Sequence, residues 1–253
     1  MKNREEMSYK KIMLEQLAID YNTSISDLMA DKNIFVEKKY DEMKRAYMNG
    51  DAVLDVLCIN NIAVFTSTDL NLLAKLKDVY EDYPAEWLFD IVSIHKLDGI
   101  LKDFGHNIQD LHQYYIPTTE ICVKHFYDKN KWFDQNLLEQ FKDDDRFDEA
   151  LGFNSKYPDM LAVAAMDGEE IMGMAGASAD SSTMWQIGIN VDKKYRGVGL
   201  GYKLTGMLKD EILKKGILPF YGTAASHVIS HKIAVKAGFE PAWASVYTSK
   251  LES

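Results

Sequence analysis

The stretch that most limits the fold is "VDKKYRGVGLG", Val191 to Gly201. Apolar "MWQIGINV" (184–191) reads as a strand leading into it. Leu200, Leu204, Met207, Leu208 and Ile212 form a helical stripe leading out of it. A strand that turns through glycines into a helix leaves the first helical N–H groups without intrahelical partners, at the positive end of the helix dipole. Glycines at 197, 199 and 201 allow an anion to approach those groups without meeting a Cβ. Lys193, Lys194 and Arg196 add positive charge in a chain whose formal net charge is −10. The stretch therefore predicts a site for a phosphorylated ligand. The alternative is a solvated loop with ordinary surface cations.

The rest of the second half is regular. Residues 160–180 read as two strands around Asp167-Gly168. Lys214, Lys215 and Gly216 end the long helix, with cations at its negative pole. "LPFYGT" (218–223) reads as a strand, 226–238 as a helix closed by Gly238, and 244–250 as a last strand. "ICVKHFY" (121–127) is expected to be a strand, with a helix after it carrying Phe133, Leu137, Leu138 and Phe141. The order is strand–helix–strand–strand–strand–helix–strand–helix–strand, an α/β domain of ordinary size. In the first half, Leu14, Leu17, Ala18 and Tyr21 stripe a helix for which Ser8 can serve as cap. Residues 55–67 form a hairpin around Asn60-Asn61, residues that tolerate positive φ. Leu72, Leu73, Leu76, Val79 and Tyr80 stripe a second helix, capped by Ser67 or Thr68. A further helix ends at Gly105. "YYIPTTE" around Pro117 reads as a linker, dividing the chain into 1–116 and 117–253.

Composition excludes several classes. With 47% apolar residues the chain can bury a core, and no apolar run is long enough to span a bilayer. The N-terminus lacks a signal-peptide pattern. Two cysteines give no disulfide framework, which suits a reducing cytoplasm. The acidic balance argues against nucleic acid as a partner. His227 and His231 are spaced i, i+4, but Val228 rather than Glu follows His227 and no third ligand suggests itself. A surface pair is expected, not a metal site. Asp143 to Asp145 either attract a cationic acceptor or solvate a loop. Asp180 either lines a cleft or belongs to a turn.

Two phosphate motifs do not fit. The dinucleotide fingerprint beginning at Gly197 needs glycine where Tyr202 stands, and the Walker pattern is absent. What remains is R-x-x-G-x-G: Arg196, Gly199, Gly201. Together with "AVKAGFEP" (234–241) and the element order, this resembles the GNAT acetyltransferase superfamily over residues 120–253. The resemblance implies a GNAT-like mixed, largely antiparallel sheet flanked by helices, with a smaller N-terminal α/β domain that packs on it and walls the acceptor cleft. It implies acetyl-coenzyme A as co-substrate and no metal. Acyl-coenzyme A would lie where the strand before the loop splays from its neighbour. Ile189 and Val191 would offer backbone groups to the pantetheine arm, and Arg196, Gly197, Val198, Gly199 and Gly201 would hold the pyrophosphate. A mid-strand Gly188 fits a bulge or a close backbone approach.

The reaction implied is transfer of an acetyl group to a primary amine of a small molecule or peptide; a homodimer is left open. A lysine-like ammonium, with pKa near ~10.4, costs roughly 4–5 kcal/mol to deprotonate at neutral pH. A base is therefore needed, and an acid for the leaving thiolate. Where many members of the family carry a Tyr for that acid, this chain has Ala234. Ser230, one turn earlier, Tyr247 in the last strand, and His227 at the helix start are the candidates. The departure at Ala234 keeps two rivals in play: a non-catalytic acyl-coenzyme A sensor, and a nucleotide-binding module using the same loop.

Overall fold

The computed structural model describes residues 2–118 and 126–251. They divide into two compact units. One comprises residues 14–114 and 242–253, the other 1–13 and 115–241.

The 14–114 unit opens inside helix α1 (Lys2–Asp20), of which it contains the end from Leu14 onward, and continues with a single turn α2 (Ile25–Leu28). Strand β1 (Ile34–Glu37), hairpin β2 (Leu54–Ile59) and β3 (Ile62–Ser67), helices α3 (Leu70–Tyr80) and α4 (Ile91–Asp103), and strand β4 (His106–Pro117) follow. The hairpin turns on Asn60 and Asn61, both at positive φ (50° and 65°), as the sequence predicts. The α3 stripe is buried as expected, but its cap is Asp69, whose carboxylate accepts from the N–H groups of Asn71 and Leu72. The Ser67 hydroxyl donates to the Val53 carbonyl at 2.8 Å and accepts from the Asp69 N–H at 3.0 Å. Ser8, the expected cap, lies inside α1, which already runs from Lys2. Residues 106–117, read as leading into a linker, form a strand. Their apolar residues do not alternate, so the period-2 signal is missing.

The hydrophobic core of this unit gathers Phe65, Leu72, Leu76, Tyr80, Leu97 and Leu101 between sheet and helices. Elsewhere the unit buries charge. Asp20 and Arg45 are paired with both side chains fully enclosed, and Arg45 also lies over the Trp243 ring at 5.3 Å. Lys38 and Asp55 pair at 2.7 Å.

The 115–241 unit contains strand β5 (Asn130–Asp134), short helix α5 (Gln135–Leu138), strands β6 (Asp159–Asp167), β7 (Glu170–Ser178) and β8 (Met184–Val191), helix α6 (Leu200–Lys214), strand β9 (Leu218–Ala224) and helix α7 (Val228–Lys236). Strand β10 (Phe239–Lys250) begins here. Its sheet runs β9–β8–β7–β6–β5, mixed and largely antiparallel, with β8 and β9 parallel. Helices α6 and α7 cover one face through Leu200, Leu204, Leu208, Ile212 and Ala234. Residues 133–153 cover the other through Phe133, Leu138, Phe141, Phe147 and Leu151. The single helix expected over Phe133 to Phe141 is a strand end, one α turn and a 3-10 turn, because Phe133 pairs with Ala162 and Asp134 starts the helix after it. Of the strand expected at 121–127, residues 121–125 lie outside the described residues.

The chain passes between units inside α1, inside β4 and again inside β10. The expected division into 1–116 and 117–253 differs from these units: residues 2–13 count with the second unit, and residues 242–250 count with the first. There Ala244 to Tyr247 pair antiparallel with Cys58 to Asp55.

One packing feature decides how the second unit is built. Gly176 on β7 and Gly188 on β8 are directly paired. The segment Glu149–Ala150 crosses the sheet on top of them. A Cβ at Gly188 would lie 1.7 Å from the Glu149 carbonyl oxygen, and one at Gly176 would lie 2.1 Å from that of Ala150. The sequence signal at Gly188 therefore reports a close backbone approach by the chain itself. Asn190 fastens the crossing: its Oδ1 accepts from the N–H groups of Glu149 (3.0 Å) and Ala150 (2.7 Å), and its Nδ2 donates to Asp148 (2.8 Å). Gly176→Ala should push this segment off the sheet and cost about 1–3 kcal/mol, the usual range for overpacking. Urea unfolding should show a lower midpoint at unchanged slope.

Candidate active site

The turn between β8 and α6 is shaped by local bonds. Asp192 accepts from the Lys194 N–H at 2.9 Å and starts a 3-10 turn over Lys193–Tyr195. The Arg196 side chain folds back, donating from Nε to the Val191 carbonyl at 3.0 Å. Gly197 and Gly199 then take φ of +89° and +86°, a region costly for other residues. Gly199 caps α6 with no side chain to fill the cap, and the Arg196–Val198 tip is exposed. Among the described residues, the N–H groups of Gly197, Val198 and Gly199 meet no backbone acceptor. The bare amides and the helix dipole thus face outward together.

Two of the expected contributors do something different. Gly201 is buried, and a Cβ there would meet Ile233 Cδ1 at 2.9 Å, so that glycine lets α6 pack on α7. All three cations of the turn are exposed, but Lys194 is paired with Glu170.

Strands β8 and β9 separate beside this turn. Their parallel pairing runs from Met184↔Leu218 to Ile187↔Tyr221 and ends, although β8 continues to Val191 and β9 to Ala224. Over the same residues β8 stays paired with β7, through Gly176↔Gly188 to Gly173↔Val191. The result is a fork with one free edge on residues 188–191. Ile189 and Val191, half-buried, project toward α6, α7 and Tyr202 on the face opposite the Glu149 crossing.

Hydroxyls cluster where the fork begins. Tyr221, the last paired residue of β9, hydrogen-bonds Ser230 of α7 at 2.7 Å with both residues buried. Burial raises the Tyr221 hydroxyl above its ordinary range; the bond to Ser230 opposes this, and the Glu149 charge adds to it. Ala234 lies in the same apolar cluster as Tyr221, one turn beyond Ser230. A second pair, Tyr115 Oη and His231 Nδ1, stands at 2.6 Å. His231 Nε2 lies 3.1 Å from the Ala225 carbonyl, which can only accept. Nε2 therefore carries the proton and Tyr115 donates to Nδ1. With both ring nitrogens occupied, His231 is committed to holding α7, and His227 is an exposed helix cap whose side chain makes no capping bond. Among the described residues no three metal-ligating side chains gather.

Tyr247 belongs to the other unit, where its hydroxyl bonds Tyr114 at 2.8 Å and burial pushes its pKa far up. Asp180 is buried and accepts from Ser178. Asp144 caps a 3-10 turn and pairs with Arg146. Sequence reading passed over Tyr221, Tyr115, Glu149 and Asn190. None lies in a motif; only the mid-strand Gly188 hinted at the crossing that holds two of them.

The residues present fit a diphosphate-bearing thioester: outward amides at a helix start and an unpaired strand edge beside them. Gly199→Val would force a β-branched residue to φ +86° and bring Cβ within 2.7 Å of the Tyr202 ring. Calorimetry should show coenzyme A affinity falling at least about tenfold (about 1.4 kcal/mol), with secondary structure by circular dichroism unchanged.

Residues 124–239 match the Acetyltransferase (GNAT) family. Solved structures similar to this chain include a GCN5-related N-acetyltransferase-like protein from Streptococcus suis (18% identity, 76% of this chain and 82% of that one, TM-score 0.48). An acetyltransferase from the GNAT family of Colwellia psychrerythraea is similar at 13% identity, 61% and 62% coverage and TM-score 0.44. The yncA protein of Salmonella typhimurium, solved with its cofactor acetyl-CoA, is similar at 17% identity, 38% and 66% coverage and TM-score 0.30. No curated protein matches. No helix among the described residues is long and apolar enough to cross a membrane. Residues 124–239 of this chain are a GNAT acetyltransferase domain.

Proposed function

We propose that the protein is an acyl-coenzyme A-dependent N-acyltransferase that moves an acetyl group from acetyl-coenzyme A to a primary amine of a small molecule or peptide. The observation that carries this reading is the fork: pairing lost after Ile187↔Tyr221, beside a turn whose amides point outward. The amides of Gly197 to Gly199 and the α6 dipole bind the pyrophosphate, with Lys193 and Arg196 adding attraction. The free edge of residues 188–191 receives the pantetheine arm and orients the thioester. Backbone N–H groups aimed at the carbonyl stabilise charge as it develops.

The leaving thiolate needs a proton, and the Tyr221–Ser230 pair stands at the vertex of the fork to give it. Because burial raises its pKa, Tyr221 keeps its proton through the neutral range and serves as donor rather than base. Ser230 orients it. This pair supplies from β9 and the near turn of α7 the hydroxyl that Ala234 cannot. His227 is exposed at the start of α7, where it can reach solvent but has no partner fixing it. Tyr247, held by Tyr114, takes no step in this reading.

Thiol release from acetyl-coenzyme A, measured with a panel of primary amines, tests the function. Amine-dependent release is expected. Tight coenzyme A binding without release for any amine would instead favour a non-catalytic sensor. Tyr221→Phe should lower kcat by about 10²-fold, the low end of general-acid effects, at unchanged coenzyme A affinity.

A further inference from the structure

We infer that Glu149 is the base that takes the proton from the acceptor ammonium, and that Asn190 and the paired glycines exist to place it at the fork. The inference rests on the acyltransferase reading above. Glu149 belongs to the segment that crosses the sheet on the face away from α6 and α7. Its carbonyl sits directly over Gly188, the first β8 residue beyond the last β9 pair. Its N–H is held by Asn190 Oδ1 at 3.0 Å, so the backbone of Glu149 is fixed from both sides. The side chain is exposed, and among the described residues its carboxylate makes no hydrogen bond or ion pair. Two carboxylates of the same segment are engaged: Asp148 accepts from Asn190, and Asp144 from Arg146.

Placement relative to the proton donor agrees. The Glu149 charge acts on the Tyr221 hydroxyl, although Tyr221 lies on the opposite face of the sheet with Ser230. The Glu149 backbone and the Tyr221 side chain thus lie on opposite faces of the sheet, at the level where β8 and β9 part. An acceptor arriving over the 149–150 crossing meets Glu149 before it meets that gap. The step balances as follows. Glu149 takes one proton from the ammonium, and the freed lone pair attacks the carbonyl. The C–N bond forms and the C–S bond breaks. Tyr221 protonates the sulfur, and the second nitrogen proton, lost as the amide forms, makes good that transfer through solvent. Glu149 returns its own proton to water. The net products are the amide, free thiol and one proton.

The test is Glu149→Gln assayed across amines of falling basicity at pH 7, from a primary alkylamine to methoxyamine, which is already neutral there. For the alkylamine, kcat/KM should fall by about 10²–10³-fold, as expected for loss of a general base. For methoxyamine the loss should shrink to a few fold. Coenzyme A affinity by calorimetry and the thermal midpoint should not change, since the side chain touches neither turn nor core. Asn190→Ala, which loosens the crossing, should lower kcat for the alkylamine about tenfold while KM for acetyl-coenzyme A stays within twofold. That is the split expected of a positioning residue. Equal losses for all amines, or none, would overturn the assignment of Glu149 and leave the acyltransferase reading standing. Absence of turnover by the unaltered protein with every amine would overturn both.

Discussion

The structure of the second unit depends on a contact between backbone and backbone. Two glycines paired across β7 and β8 leave a bare strip of sheet, and the Glu149–Ala150 segment lies on it with no side chain between. Any Cβ in that strip would lift the segment by more than an ångström. Asn190 then turns close approach into fixed register by satisfying two consecutive N–H groups with one oxygen. Such backbone groups would otherwise be orphaned at a buried crossing. The outcome is a sheet with a different purpose on each face: helix dipole and bare amides on the α6 side, a carboxylate on the other, and a gap in strand pairing that joins them.

The gap itself follows from geometry that β8 cannot satisfy on both edges. From Gly188 to Val191 it stays in register with β7, while β9 departs after Tyr221. Its own turn then compensates in part, since Arg196 donates back to the Val191 carbonyl and closes the end of the strand. A site built this way needs no moving part to exist. The strand edge and the turn amides share one covalent segment, Gly188 to Leu200, so they are held together by local bonds within that segment rather than by distant packing. Preorganised dipoles of this sort cost nothing to reorient when charge appears.

How much of this could be read from the sequence depends on how local the cause is. The strand–turn–helix at 184–215 was legible because its glycines, cations and apolar stripe lie within one window, and the hairpin at Asn60-Asn61 for the same reason. The cap of α3 lies one or two positions beyond Ser67 or Thr68 because Ser67, Thr68 and Asp69 are all competent caps, and the Ser67 oxygen accepts from the Asp69 N–H ahead of the helix rather than from a first-turn amide. Strand β4 was missed because its neighbours in the sheet, and not its own alternation, make it a strand. The Tyr221–Ser230 and Glu149–Asn190 partnerships join residues 9 and 41 positions apart, and no local pattern announces them. Ala234 showed that something was missing from the helix; only the coordinates show a hydroxyl arriving from the strand beside it.

The return of β10 to the first unit bears on the birth of the chain. Leu54 exchanges hydrogen bonds with the Thr248 hydroxyl across 194 positions, and β2 finds its outer partner only in residues 244–247. Trp243, the ring on which the enclosed guanidinium of Arg45 rests, comes from the same late segment. On a ribosome residues 14–114 therefore emerge without the ring that covers Arg45 and with a strand edge open, and they stay so until residues 242–250 have been made. Loop closure over that length is entropically expensive and slow. The unit begun before residues 115–241 is completed after them, so its exposed edge is the place where chaperones would be needed during synthesis.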